Sequence, residues 1–260
     1  MPIHPTAIVD SRAELDASVV VGPYCVIEGP VRIDADVRLY QNVYVTGRTH
    51  IGQGCVLHPG AIVGHEPQDI KDRGQPTFCR IGSRTVIREY VTIHRGTAPD
   101  TGTIVGNDCF LLAASHVGHN CVVGDGVTLI NGVLLGGHVE VGTRATLGGA
   151  AVVHQFVRVG ELVMVAGNAR VVMDAVPFSL VDVEGRVAGL NRIGLRRAQL
   201  SVPEIEEVRA FYRFLFAPGR RPSVALEECK KRCATRAGQR LIAFVEAPSK
   251  RGLAGRPRRG

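Results

Sequence analysis

Tryptophan is absent from the 260 residues, aromatic side chains make up only 5% of them, and the seven cysteines, an odd number, show no paired Cys-x-x-Cys spacing. These absences argue against an aromatic-centred globule, a disulfide framework and a zinc ribbon, and leave reduced thiols as the expectation. Also missing is any uninterrupted apolar run of about 18 residues. The opening MPIHPTAIV has no basic segment followed by an apolar stretch. The chain is therefore expected to be soluble and cytoplasmic, without stable membrane insertion. What is plentiful is glycine, 31 residues, together with small aliphatic side chains, a composition suited to a stacked repeat.

The net charge of +7 is unevenly placed. Lys250, Arg251, Arg256, Arg258 and Arg259 supply five charges from the last eleven residues. A Gly/Pro/Arg segment of this kind is expected to be disordered over 247–260, and no nucleic-acid function is inferred from it.

An aliphatic residue recurs every six positions, from Ile3, Val9 and Leu15 through to Val63. The phase is interrupted at 65–80, resumes at Ile81, breaks again at 98–104, and then runs from Val105 to Val171. Four residues after each aliphatic position sits a smaller one, including Cys25, Cys55, Cys109 and Cys121. Neither helical nor alternating periodicity fits. A hexapeptide parallel β-helix does, with three hexads to a triangular coil. Glycine often follows the aliphatic residue (Gly22, Gly52, Gly82, Gly142), where it is expected to permit backbone conformations that a Cβ opposes. After about 190 the apolar spacing turns helical, with Pro203 and Pro222 near helix starts, so the expected domains are a β-helix over 1–188 and a helical domain over 189–246.

Residues eighteen apart should stack, about 4.8 Å from coil to coil. The stretch 114–121, ASHVGHNC, then gains neighbours. His119 lies under Gly137 and Gln155, Asn120 lies under His138 and Phe156, and His116 and His154 stand close by. None of these occupies an inward position. Three readings remain: polar decoration on a scaffold, a zinc site such as hexapeptide carbonic anhydrases hold, or acyl transfer. In the last, neutral His119 takes a proton from a hydroxyl and the N–H of Gly137 receives the oxyanion.

The motifs VTIHRGT (91–97), QDIK (68–71), SHVGHNC, LGGHV (135–139), VVHQF (152–156) and GLNRIGLRR (189–197), in this order, resemble the UDP-N-acetylglucosamine O-acyltransferase family that begins lipid A synthesis. The resemblance implies a left-handed β-helix and a homotrimer with sites between subunits. It also implies an R-3-hydroxyacyl chain passed from acyl carrier protein to the glucosamine 3-position of a UDP-sugar, with no metal or other cofactor. His119 matches the base and Gly137 the oxyanion donor. His116, His138, His154 and Gln155 match sugar-nucleotide contacts. Gln68, Asp69 and Lys71 match a loop reaching to the neighbouring subunit's site, and Asn191 and Arg197 match a region gripping the acyl chain or diphosphate. Gly167 falls where the family limits acyl length, and glycine there implies a long chain. Asn120 departs from the family's usual Asp and contributes no charge, so a weaker base is expected. His-Asn is instead common in a related N-acyltransferase, which has a different N-terminal domain and lacks the IHRGT stretch. A diamino-sugar acceptor is the other alternative within the family. Lys71, Arg73, Arg80, Arg84 and Arg88 are expected to form one docking edge for the acidic carrier.

Overall fold

A computed structural model describes residues 3–217, 219 and 222–255. Two- to four-residue strands wind into a left-handed parallel β-helix whose three faces are sheets of nine, eight and ten strands. Face 1 holds Ile8–Val9 at one end and Arg170–Val171 at the other, face 2 begins at Glu14–Leu15, and face 3 begins at Val20–Val21. Face 3 closes with the single antiparallel pair among the described strands, Ser179–Val181 with Val187–Leu190.

The register follows the six-residue ruler. Val26 pairs with Tyr44 and then Ile62, eighteen positions at a time, and the same step links His116, Leu134 and Val152. From Val21 to Val171 every aliphatic residue of the ruler is at most 2% exposed. Each contributes on the order of 1.5–3 kcal/mol by leaving water. The two interruptions step the pairing from Ile62 to Thr92 and from Thr92 to His116. Both fall between a face 1 strand and a face 2 strand, so both loops leave the tube at the same corner, in consecutive coils.

Of the glycines after the aliphatic positions, Gly64 has the expected positive φ, 80°, and the others act differently. Gly82 and Gly142 have no positive φ; a Cβ on either would stand 2.5 Å from the next coil's backbone, at Gly106 C and Glu161 N. Their role is close approach. The left-handed backbone sits instead at the corners, on non-glycine residues such as Asp108 (φ 54°), Ala114 (57°), Asn120 (59°), His138 (60°) and Phe156 (65°). Successive corners require this conformation whatever the side chain, a cost the continuous ladders offset.

Beyond the tube, helices α1 (Arg192–Arg197), α2 (Val202–Leu215), α3 (Pro222–Arg232) and α4 (Arg236–Glu246) close a second apolar cluster around Phe178, Phe211, Tyr212 and Leu241. A capping box between Ser201 and Glu204 starts α2, with proline in its first turn. Thr235 caps α4, and Cys233 lies between α3 and α4.

Residues 247–255, expected to be disordered, are ordered against the tube. Ala254 is buried, and Asp174 N–H donates to Gly252 O while Ala254 N–H donates to Asp174 O, both at 2.8 Å. Backbone pairing and one buried side chain overcome a composition that read as tail. Arg256, Arg258 and Arg259 lie outside the described residues.

Six cysteines are buried and Cys233 is half-buried. Burial pushes the Cys79 and Cys121 thiols up to about 12 and Cys55 up to about 11. A thiol reagent near pH 8 should therefore modify Cys233 first in the native protein and all seven after denaturation; rapid native labelling of Cys121 by mass spectrometry would contradict the buried register.

Candidate active site

His119 and Asn120 form the corner between strands His116–Val117 of face 1 and Val122–Val123 of face 2. His138 N–H donates to His119 O at 2.9 Å, and Phe156 N–H to Gly137 O at 3.1 Å, so the three corners stack as the eighteen-residue rule requires. A Cβ on Gly137 would fall well inside contact distance of Cε1 and Nε2 of His119. The Cε1–Nε2 edge of the imidazole is packed against that glycine. No hydrogen bond to the Gly137 N–H occurs among the described residues.

The second loop of this corner holds the base in place. Asn120 Oδ1 accepts from the Thr97 N–H at 3.1 Å and from the Thr97 hydroxyl at 2.9 Å, and Asn120 Nδ2 donates to Thr101 Oγ1 at 2.9 Å. The backbone donor identifies the acceptor as the amide oxygen. His119 Nδ1, 3.0 Å from that oxygen, must then carry its proton and donate it. In the neutral ring the lone pair is then on Nε2, and His119 lines the cavity beside it.

The first loop supplies charge. Asp69 Oδ2 is 3.9 Å from His119 Nε2, and the Asp69 carboxylate is itself braced by the Lys71 N–H at 2.9 Å. Gln68 lines a cavity of about 400 Å³ with His94, His116, His119, Leu134, Gly137, Val152, His154 and Gln155. Asp69 and Lys71 line an adjoining one of about 480 Å³ with Thr97, His138, Gln155 and Phe156. The loop thus closes over the histidine of its own chain. The loop leaves face 1 at His65, at the corner that also carries His119.

A ladder of rings continues downwards: His116 lies 5.2 Å from His94, which lies 6.3 Å from His65, itself 5.7 Å from Tyr44. His94 Nδ1–H donates to the Glu66 carbonyl and His116 Nδ1 is 2.8 Å from Thr92 Oγ1. Burial, then its neighbours, lowers His94 below the ordinary imidazole value. His138 is lowered the same way, its ring 5.2 Å from His119 and stacked on Phe156 at 4.7 Å. His94, Thr97 and Thr101 went unassigned in the sequence reading, although the first two stand in IHRGT. Only contact shows that both are tied to the corner.

Three expected members lie elsewhere on the chain. Gly167 is exposed at the corner between faces 3 and 1, across the outward Leu134 and Val152 from His119. Asn191 caps α1 and donates to Leu162 O at 2.8 Å, and the Arg197 carbonyl accepts from Arg144, placing both at the corner between faces 2 and 3. The arginines expected to share a docking edge are also dispersed, because one coil carries them around the tube. Arg80 is on face 2, Arg84 pairs with Asp108 at the next corner, and Arg88 pairs with Glu89 beyond face 3. Lys71, Arg73 and Arg80 remain exposed near the first loop.

Comparison with known proteins adds a second line of argument. The family profile for UDP N-acetylglucosamine O-acyltransferase, domain 2, matches residues 174–254. The acyl-[acyl-carrier-protein]–UDP-N-acetylglucosamine O-acyltransferase of Rhizobium johnstonii is 39% identical, over 99% of this chain and 96% of its own length. That of Thermodesulfovibrio yellowstonii is also 39% identical, over 96% and 98%. Among solved structures, the UDP-N-acetylglucosamine O-acyltransferase of Moraxella catarrhalis superposes with a TM-score of 0.91 at 36% identity, covering 98% of this chain and 100% of that one.

Burial, with His94 and His119 adjacent, holds His116 down to about 4, against an ordinary 6.5. The unfolded chain then binds a proton that the native state resists. Stability is complete above about 6.5 and is lost as pH falls toward about 4. Thermal midpoints should drop across that window, and His116→Phe should flatten the drop; equal slopes in the two proteins would remove this assignment.

Proposed function

The chain belongs to the acyl-[acyl-carrier-protein]–UDP-N-acetylglucosamine O-acyltransferase family, and from that membership we propose how its corner residues perform the transfer. The enzyme moves an R-3-hydroxyacyl chain from acyl carrier protein to the glucosamine 3-hydroxyl of UDP-N-acetylglucosamine. One observation carries the mechanism: His119, whose neutral ring bears its lone pair on Nε2 because Nδ1–H is donated to Asn120, packs directly against Gly137.

Nε2 takes the acceptor hydroxyl's proton as the oxygen attacks the thioester carbonyl. A C–O bond forms, and the carbonyl electron pair becomes an oxyanion that the Gly137 N–H receives. Collapse breaks the C–S bond, and the departing sulfur takes the proton back from the imidazolium. Asn120 orients the ring without charge. Asp69, close to Nε2, supplies the negative charge that favours the imidazolium while it exists.

His116, His138, His154 and Gln155 fit the nucleotide sugar around this point, and Gln68 and Lys71 approach it from the loop. Asn191 and Arg197, on another corner of the same chain, reach a site only from an adjacent copy, as a homotrimer with sites between subunits supplies. Lys71, Arg73 and Arg80 are the exposed cations nearest the loop and fit an acidic carrier.

An assay with hydroxyacyl carrier protein and UDP-N-acetylglucosamine tests the mechanism. Wild-type turnover should fall by about 10²-fold or more in His119→Ala and in Gly137→Ala, where the new methyl displaces the ring, and should survive chelators. Chelator sensitivity would favour zinc, and inactivity with both hydroxy- and amino-sugar nucleotides would favour a scaffold.

Leu134 and Val152 give an apolar floor, 43% and 45% exposed, from His119 toward Gly167. A Cβ at 167 meets only Gly149 O at 3.3 Å and Gly149 N at 3.8 Å, so the groove stays open at that end. The wild type should prefer longer hydroxyacyl carriers and Gly167→Met shorter ones; an unchanged preference would refute the groove.

A further inference from the structure

We propose that the ordered segment 249–254 belongs to the nucleotide half of the site, with Arg251 as a positioning residue that fixes His154 and Gln155 and offers its remaining donors to the diphosphate. The inference rests on the sugar-nucleotide reading of that corner. It starts from a conflict between composition and order: fixing these residues costs on the order of 1–2 kcal/mol each in backbone entropy.

The anchoring and the chemistry are separable. Gly252 and Ala254 pair with Asp174, which is fully buried and takes a two-pronged hold from Arg158, whose Nε donates to Oδ2 and whose backbone N–H donates to Oδ1, both at 2.8 Å. Arg251 takes no part in that anchor. Its Nε donates to the Gln155 carbonyl at 2.9 Å and its Nη2 to His154 Nε2 at 2.8 Å. His154 Nδ1 is 3.2 Å from the same Gln155 carbonyl, so the imidazole is held at both nitrogens. Among the described residues no carboxylate pairs with the Arg251 guanidinium and its Nη1 has no hydrogen bond.

Lys250 adds a second cation. Its Nζ stands 4.2 Å over the face of Phe156, the ring stacked on His138. Two positive groups therefore stand against two walls of a cavity, Lys250 over Phe156 and Arg251 on the Gln155 carbonyl; Asp69, Lys71, His119 and His138 are among the other residues that line it. A nucleotide diphosphate is the substrate portion that suits them, since a guanidinium pairs with phosphate oxygens in its fixed fork. The acidic carrier protein, the reaction's other anionic partner, is matched instead to the exposed cations near the first loop.

Steady-state kinetics on R251Q and R251K test this. In R251Q the KM for UDP-N-acetylglucosamine should rise about tenfold, the loss of one or two charge-assisted hydrogen bonds, while the KM for the acyl carrier protein and the thermal midpoint stay within error. R251K, keeping the charge without the fork, should recover part of that affinity. A nucleotide KM indifferent to R251Q overturns the proposal. So does a lowered thermal midpoint with every kinetic constant shifted together, which is the mark of a merely structural contact, or an R251K no better than R251Q. Wild-type turnover in the same assay separates the two levels: an inactive wild type refutes the underlying reading, and an active wild type with an indifferent R251Q refutes this inference alone.

Discussion

The spacing between neighbouring parallel strands, about 4.8 Å, is the length on which this molecule is built. Each coil must return to the same three corners one such spacing higher, or its ladder of hydrogen bonds fails. That requirement makes the inward side chains uniform, one larger and one smaller per hexad. It forces left-handed backbone at Asn120, His138 and Phe156 whatever else those residues do. It also sets His119 against Gly137 closely enough that no other residue fits there. The chemistry uses a contact the architecture already enforces.

This explains which parts were legible in the sequence. A period of six and a stacking rule of eighteen are properties of a repeating backbone, so the core, the His119 column and its glycine could be counted out residue by residue. Counting stopped wherever the chain left the ruler. Gln68 and Asp69 stand in an insertion whose path no periodicity describes, and Thr97 and Thr101 in another. The conformational reading of Gly82 and Gly142 missed because a demand for close approach between coils and a demand for positive φ select the same residue type. The arginine edge dissolved because a sequence neighbour four residues on already lies around a corner. The ordered 247–255 segment was hidden by composition, since its anchor, Asp174, is distant in sequence.

Asn120 looked like a weakness while it was viewed alone. In place, its oxygen gathers donors from Thr97 and from His119, a geometry that sets the tautomer of the ring. The charge it lacks stands across the imidazole on Asp69. Orientation and electrostatic support, which one carboxylate could combine, are divided between two loops. Each can therefore be adjusted with less disturbance to the other.

Both loops that interrupt the hexads open from one corner, in adjacent coils. A length change within a strand would throw the following residues onto the wrong faces, whereas at a corner the chain can wander and re-enter in phase. The fold thus has one edge at which evolution can lengthen, shorten or rewrite sequence without renegotiating the tube. Inheritance of the scaffold and divergence in what it accepts become independent, and relatives differing in acceptor or acyl preference should vary most along this edge while the other two corners keep their length.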